Sequence, residues 1–118
     1  MVTKMATTAR LRAVISGAAI AGVLIAPAWA QPAGYALTIR NHQFEPTELQ
    51  IPAGEKIELK VTNADPTPEE FESLSLHREK VVPGGQTVSI YIGPLPAGRY
   101  EFFGDFNPKT ARGWIVAK

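Results

Sequence analysis

The stretch "GRYEFFGDFNPKTARGWIVAK", Gly98 to Lys118, closes the chain and carries the pattern from which the fold is read. Tyr100 and Phe102 stand two residues apart, as on one face of a strand, and a second apolar run follows around Trp114 to Val116. Between them Gly104-Asp105 and Asn107-Pro108 are turn formers, so the stretch reads as strand, loop and strand. It contains no Cys, His or Met.

Working outward, "GPLPAG" (Gly93 to Gly98) is a turn signal that follows the alternating run Val88, Ile90 and Ile92. Further upstream Ile57, Leu59 and Val61 alternate with Lys56, Glu58, Lys60 and Thr62. Tyr35, Leu37 and Ile39 alternate in the same way with Ala36, Thr38 and Arg40. Each run has one apolar and one wet face. Leu49 and Ile51 lead into Pro52-Ala53-Gly54, a turn expected to fold the second strand back onto the third. About seven short strands at this spacing, with no helical period of useful length, indicate an all-β chain folded as an antiparallel β-sandwich. Hairpin geometry then brings His42–Pro46 beside Asn63–Glu69, and Val81–Gly85 beside Gly104–Asn107.

The N-terminus has a different character. Lys4, Arg10 and Arg12 precede an apolar run from Ala13 to Ala26, and Ala28-Trp29-Ala30 supplies small residues before Gln31. This is the layout of a cleaved secretory signal over residues 1–30, and the run is short for a membrane span. The mature domain, 31–118, keeps nine basic and eleven acidic residues, a net charge of −2. Its charge gives no reason to expect nucleic acid as a partner, and no segment of it suits direct membrane insertion. Export without cysteine leaves packing, and any bound metal, to hold the domain together.

From "FEPTELQIPAGEKIELKVTNAD" (44–65) through "PAGRYEFFG" (96–104) to "GWIVAK" (113–118), the chain resembles a cupredoxin, the Greek-key β-sandwich of the blue-copper proteins. The resemblance implies that both loop pairs share one pole. It also implies that Glu69 falls where a ligand His would follow Asn63-Ala64-Asp65, with Gly104 in the Cys slot and Asn107 in the closing His slot. A blue-copper centre needs a thiolate and two imidazoles, and the mature chain has neither Cys nor Met. A type 1 electron carrier is therefore excluded.

Oxygen-rich residues stand near that pole. "PEEFES" supplies Glu69, Glu70 and Glu72, the closing loop Asp105, and the loop after the first strand His42. Glu69 shares the face of Phe71, while Glu70 and Glu72 share the opposite one. Position favours Glu69 as a ligand and spacing favours the pair Glu70 and Glu72. Both readings stand, beside a plainer one in which the three carboxylates decorate a solvated edge strand. His77 and Glu79 lie on the return towards Val81–Gly85, within reach of the same pole, so His77 joins His42, Glu69, Glu70, Glu72 and Asp105 as a candidate metal ligand. Carboxylates with one or two imidazoles and no sulfur suit iron, and also accept copper(II), which heads the affinity order for most donor sets.

"PEEFESLSLHREKVVPGG" with "YEFFGDF" is similar to the small periplasmic cupredoxin-like proteins that accompany bacterial ferrous-iron permeases of the Ftr type, and more distantly to the cupredoxin-like domain of EfeO-type proteins. Glu70-Phe71-Glu72 and Arg78-Glu79 carry this likeness. It implies a periplasmic protein, an iron or copper ion as cofactor, an iron permease or another inner-membrane transport component as partner, and ferroxidase-like assistance to ferrous-iron uptake. A copper-homeostasis protein and a metal-free adaptor of a transporter are the alternatives.

Overall fold

The computed structural model describes residues 32–118, and the leader read over residues 1–30 lies outside them. The described residues form nine strands and no helix: β1 (Ala33–Arg40), β2 (Gln43–Glu45), β3 (Glu48–Ile51), β4 (Ile57–Asn63), β5 (Glu69–Ser73), β6 (Arg78–Val82), β7 (Thr87–Ile92), β8 (Gly98–Phe103) and β9 (Arg112–Ala117). They make two sheets, in spatial order β2-β1-β4-β7 and β3-β9-β8-β5-β6.

Period-two alternation accounts for the faces. In β4 Ile57, Leu59, Val61 and Asn63 are buried, while Lys60 between them is exposed. The same alternation buries Leu37 and Ile39 of β1, Ile90 and Ile92 of β7, and Phe102 of β8. Between the sheets Phe44, Phe71 and Phe102 form an aromatic cluster. Phe102 stacks on Phe71 with ring centroids 5.2 Å apart and meets Phe44 edge-on at 4.8 Å. Each fully buried Phe contributes about 1.5–3 kcal/mol through burial. Glycine is required at Gly113, because a Cβ there would stand 2.4 Å from the Phe102 ring.

Two expected hairpins are not formed. Strands β3 and β4 lie in different sheets, so Pro52–Gly54 carries the chain across the sandwich, and Gly93–Gly98 does the same between β7 and β8. Alternation fixes which face of a strand is buried but not which strand lies beside it. Here β3 pairs in parallel with β9, Glu48 opposite Trp114, and β1 pairs in parallel with β4, Ile39 opposite Asn63. The sandwich is thus mixed rather than wholly antiparallel.

Parallel pairing of β1 and β4 puts both C-terminal ends at one pole, so the residues after each strand meet. The juxtaposition of His42 with Asn63–Glu69 exists, by a route other than a hairpin. Val81–Gly85 and Gly104–Asn107 do not adjoin in the same way, because β5 lies between β6 and β8. The chain after β6 turns instead to β4, Gly85 N–H donating to the Asn63 carbonyl at 2.9 Å. Nor is "PEEFES" an edge. Strand β5 is internal, and the edge is β6, whose Arg78, Glu79 and Lys80 are exposed and charged, as an unpaired rim requires.

Candidate metal centre

The pole is assembled from three connections and the start of β5. Arg40 pairs with Gln43 across a two-residue turn, Asn41-His42, whose φ values of 53° and 58° are both left-handed. Such a turn matches the twist of a hairpin, and Asn and His tolerate it better than most residues. Asp65 fixes it from the side, accepting the N–H of Asn41 at 2.8 Å and of His42 at 3.0 Å. Asp65 is itself placed by Asn63, whose Oδ1 accepts the Asp65 N–H at 2.8 Å. The Asn63 amide group donates to the carbonyls of Thr67 (2.7 Å) and Val82 (3.0 Å). Asn63 is wholly buried and its polar groups are partnered, which holds the end of β4 rigidly.

Glu69 opens β5 on the core face, two residues before Phe71, and is wholly buried. A buried carboxylate needs partners. It has two: His42 Nδ1 hydrogen-bonds Oε2, and the Asn107 amide donates to both oxygens at 3.2 and 3.3 Å. His42 Nδ1 also lies 3.6 Å from Asp65, and its ring is about half exposed. Donor atoms of His42, Asp65 and Glu69 all lie within 4.8 Å of one another. The hydrogen bond to Glu69 raises the His42 imidazole above its ordinary 6.5, against the partial burial that lowers it. Burial pushes the Asp65 carboxyl up, but the N–H groups of His42 and Asn41 outweigh it and hold the group below 3.8.

A second group of donors lies on the opposite face of the same strand. Glu70, Glu72 and Glu79 have oxygens within 4.8 Å of one another, Glu72 and Glu79 being directly paired between β5 and β6. Glu70 is almost fully buried and accepts the Asp105 N–H at 3.1 Å. Burial raises its carboxyl above 4.5, as do its contact with Glu79 and the charge of Glu72.

The remaining candidates are placed differently. Asp105 contributes its backbone, and its side chain is exposed. His77 occupies the β5–β6 turn with φ 54°, at the end away from the pole, and belongs to neither donor group. It lines a shallow depression with Glu72 and Glu79. Sequence reasoning missed Asp65 as a site residue, although an Asp two residues after a strand-ending Asn is a common side-chain-to-backbone turn signal.

The donors present do not fit a type 1 copper centre. Among the described residues the pole offers no sulfur, and the Asn107 amide, in the closing His slot, donates to Glu69. They do fit a harder cation: one imidazole nitrogen and two carboxylates converge with an opening through His42.

The sequence profile of the family described as "Cupredoxin-like domain" matches residues 13–117. A Rickettsia prowazekii (strain Madrid E) protein described as uncharacterized is 48% identical over 80 residues, which is 68% of this chain and 64% of the relative's own length. Among solved structures, auracyanin A, a blue copper protein of Chloroflexus aurantiacus, superposes with a TM-score of 0.65 at 15% identity, covering 75% of this chain and 100% of auracyanin. The Cu(I)-bound metal-binding domain of CopA, a Cu(I)-exporting P-type ATPase of Streptococcus pneumoniae D39, gives 0.61 at 18% identity, covering 72% and 84%. A purple cupredoxin from Nitrosopumilus maritimus gives 0.56 at 18%, covering 70% and 98%. At such identities the structural likeness speaks for the fold alone.

Proposed function

The chain belongs to the cupredoxin-like domain family, and from that premise we propose that it is a periplasmic metal-binding protein that assists ferrous-iron uptake. Its pole takes iron or copper(II) through His42, Asp65 and Glu69, with Glu70, Glu72 and Glu79 as an outer acidic group. The observation that carries this reading is Glu69: a wholly buried carboxylate turned towards an exposed imidazole and a second carboxylate. Its present partners are a half-exposed imidazole and one amide, so a cation entering beside His42 would complete the compensation of its buried charge.

Iron is the substrate in this reading, not a resident cofactor. Anionic oxygen donors bind Fe(III) more strongly than Fe(II), so the same set that captures Fe(II) favours its loss of one electron to dioxygen. The Fe(III) product would pass to an inner-membrane iron permease. Copper(II) is the second reading, supported by its high affinity for nitrogen and oxygen donors.

The test is to titrate apo protein with Fe(II) under nitrogen and with Cu(II) in air, then to follow Fe(II) oxidation by oxygen. Wild-type protein should bind stoichiometrically and outpace buffer, and Glu69→Gln should lose most of both effects. Oxidation that appears only after Cu(II) loading favours the copper reading. Absence of binding to either ion removes the metal reading and leaves a metal-free adaptor of a transporter.

A further inference from the structure

The structure assigns Gly104 as a specificity-determining position: main-chain packing at this glycine closes the pole to a thiolate-bound copper centre, over and above the loss of the cysteine itself. A Cβ at Gly104 would stand 2.8 Å from the carbonyl oxygen of Glu70 and 3.1 Å from the Cβ of Ala111. Non-bonded heavy atoms pack comfortably at about 3.5–4.0 Å, so the first contact is a collision.

The obstacle is a main-chain oxygen on one side and the Ala111 methyl on the other, and neither has a rotamer that relieves it. Glu70 belongs to β5, which is paired with β6 along its length, Glu70 opposite Val81. On the other side Gly104 N–H donates to the Ala111 carbonyl at 2.9 Å, and the Gly104 carbonyl accepts the Asn107 N–H at 3.0 Å. Beneath lies the Phe44 ring, 3.8 Å from the same Cβ position. The approach also has a chemical use, because it brings the Asp105 N–H within 3.1 Å of the Glu70 carboxylate. The space that a cysteine side chain would need is thus given over to joining the closing loop to the outer acidic group. This holds whichever metal the inner donors take, and it makes the discrimination against soft, sulfur-ligated copper a property of the chain path.

The experiment compares four variants with wild type: Gly104→Ala, Gly34→Ala, a triple graft, and the Glu69→His/Asn107→His protein that lacks only the change at the slot. Gly104→Ala adds only the Cβ and should lower the melting temperature of apo protein by on the order of 10 °C. Gly34→Ala is the control, since nothing lies within 4 Å of a Cβ there, and it should melt with wild type. The graft Glu69→His/Gly104→Cys/Asn107→His supplies a thiolate and two imidazoles; loaded with Cu(II), it should show no intense blue band. A graft that loses its β-type far-UV spectrum where the Glu69→His/Asn107→His protein keeps it, together with a destabilised Gly104→Ala, gives the same answer, because the side chain at the slot is then the difference; if both lose it, Gly104→Ala decides alone. Gly104→Ala melting with wild type overturns the assignment whatever the graft does. An intensely blue graft overturns it even if Gly104→Ala is destabilised.

Discussion

Replacing Asp65 by alanine removes the acceptor of two main-chain N–H groups, those of Asn41 at 2.8 Å and His42 at 3.0 Å. Both donors sit in left-handed backbone, so the turn that carries His42 is held in a conformation its residues do not prefer. A hydrogen bond to a charged group contributes about 1.5–3 kcal/mol, which bounds the pair at about 3–6 kcal/mol. The turn is exposed and water can take over part of the lost bonding, so we expect about 3 kcal/mol. For a domain of this size that corresponds to a fall of about 12–24 °C in melting temperature. Asp65→Asn keeps one acceptor oxygen and should lose about half as much. The sign with pH is fixed by the depressed Asp65 carboxyl: its stabilisation is fully present above the ordinary 3.8 and disappears as pH falls through the lower folded value. Far-UV melts of apo wild type and Asp65→Ala at pH 7, and again in acid well below 3.8, measure both. A difference under about 3 °C at pH 7, or one that persists undiminished in acid, refutes the reasoning.

Three further outcomes are expected. The Glu70 carboxyl is raised above 4.5, so its favourable contribution is lost as pH rises through the folded value; Glu70→Gln should therefore melt higher than wild type at pH 7 and level with it below 4.5. Phe102→Ala should remove about 3–5 kcal/mol of the roughly 4–13 kcal/mol that such a domain holds, measured by urea unfolding; a loss under about 1 kcal/mol would mean the aromatic cluster is not central. His77→Ala and Asp105→Ala should leave Cu(II) and iron affinity within about two-fold by calorimetry, since neither side chain joins a donor group; a tenfold loss in either would place that residue in the site.

The faces of the strands were legible because alternation is local: Leu59 and Val61 inward, Lys60 outward, needs only three letters of sequence. The same logic separated Glu69 from Glu70 and Glu72, and the structure keeps them on opposite faces of β5. Neighbours were not legible. Nothing in Leu49 or Ile51 says that β3 lies beside β9 rather than β4, because that choice depends on the whole two-sheet arrangement. The site suffered from the same gap. Asp65 acts through the backbone of residues more than twenty positions earlier, and Asp105 acts through its own N–H, which no side-chain letter announces. His77 was drawn towards the pole by its place in the sequence, whereas β5 and β6 turn at the far end.

The parallel pairing of β3 with β9 also constrains the order in which this domain can assemble. Strand β9 sits between β3 and β8, so the ninth of the described strands lies inside the second sheet rather than on its rim. Until Arg112–Ala117 has emerged, β3 has no partner and β8 presents an open edge. A chain released N-terminus first therefore gains little from folding early, and the non-local closure predicts slow, late, cooperative folding. A chain without this strand would leave β3 and one side of β8 unpaired, the form most inclined to associate with copies of itself.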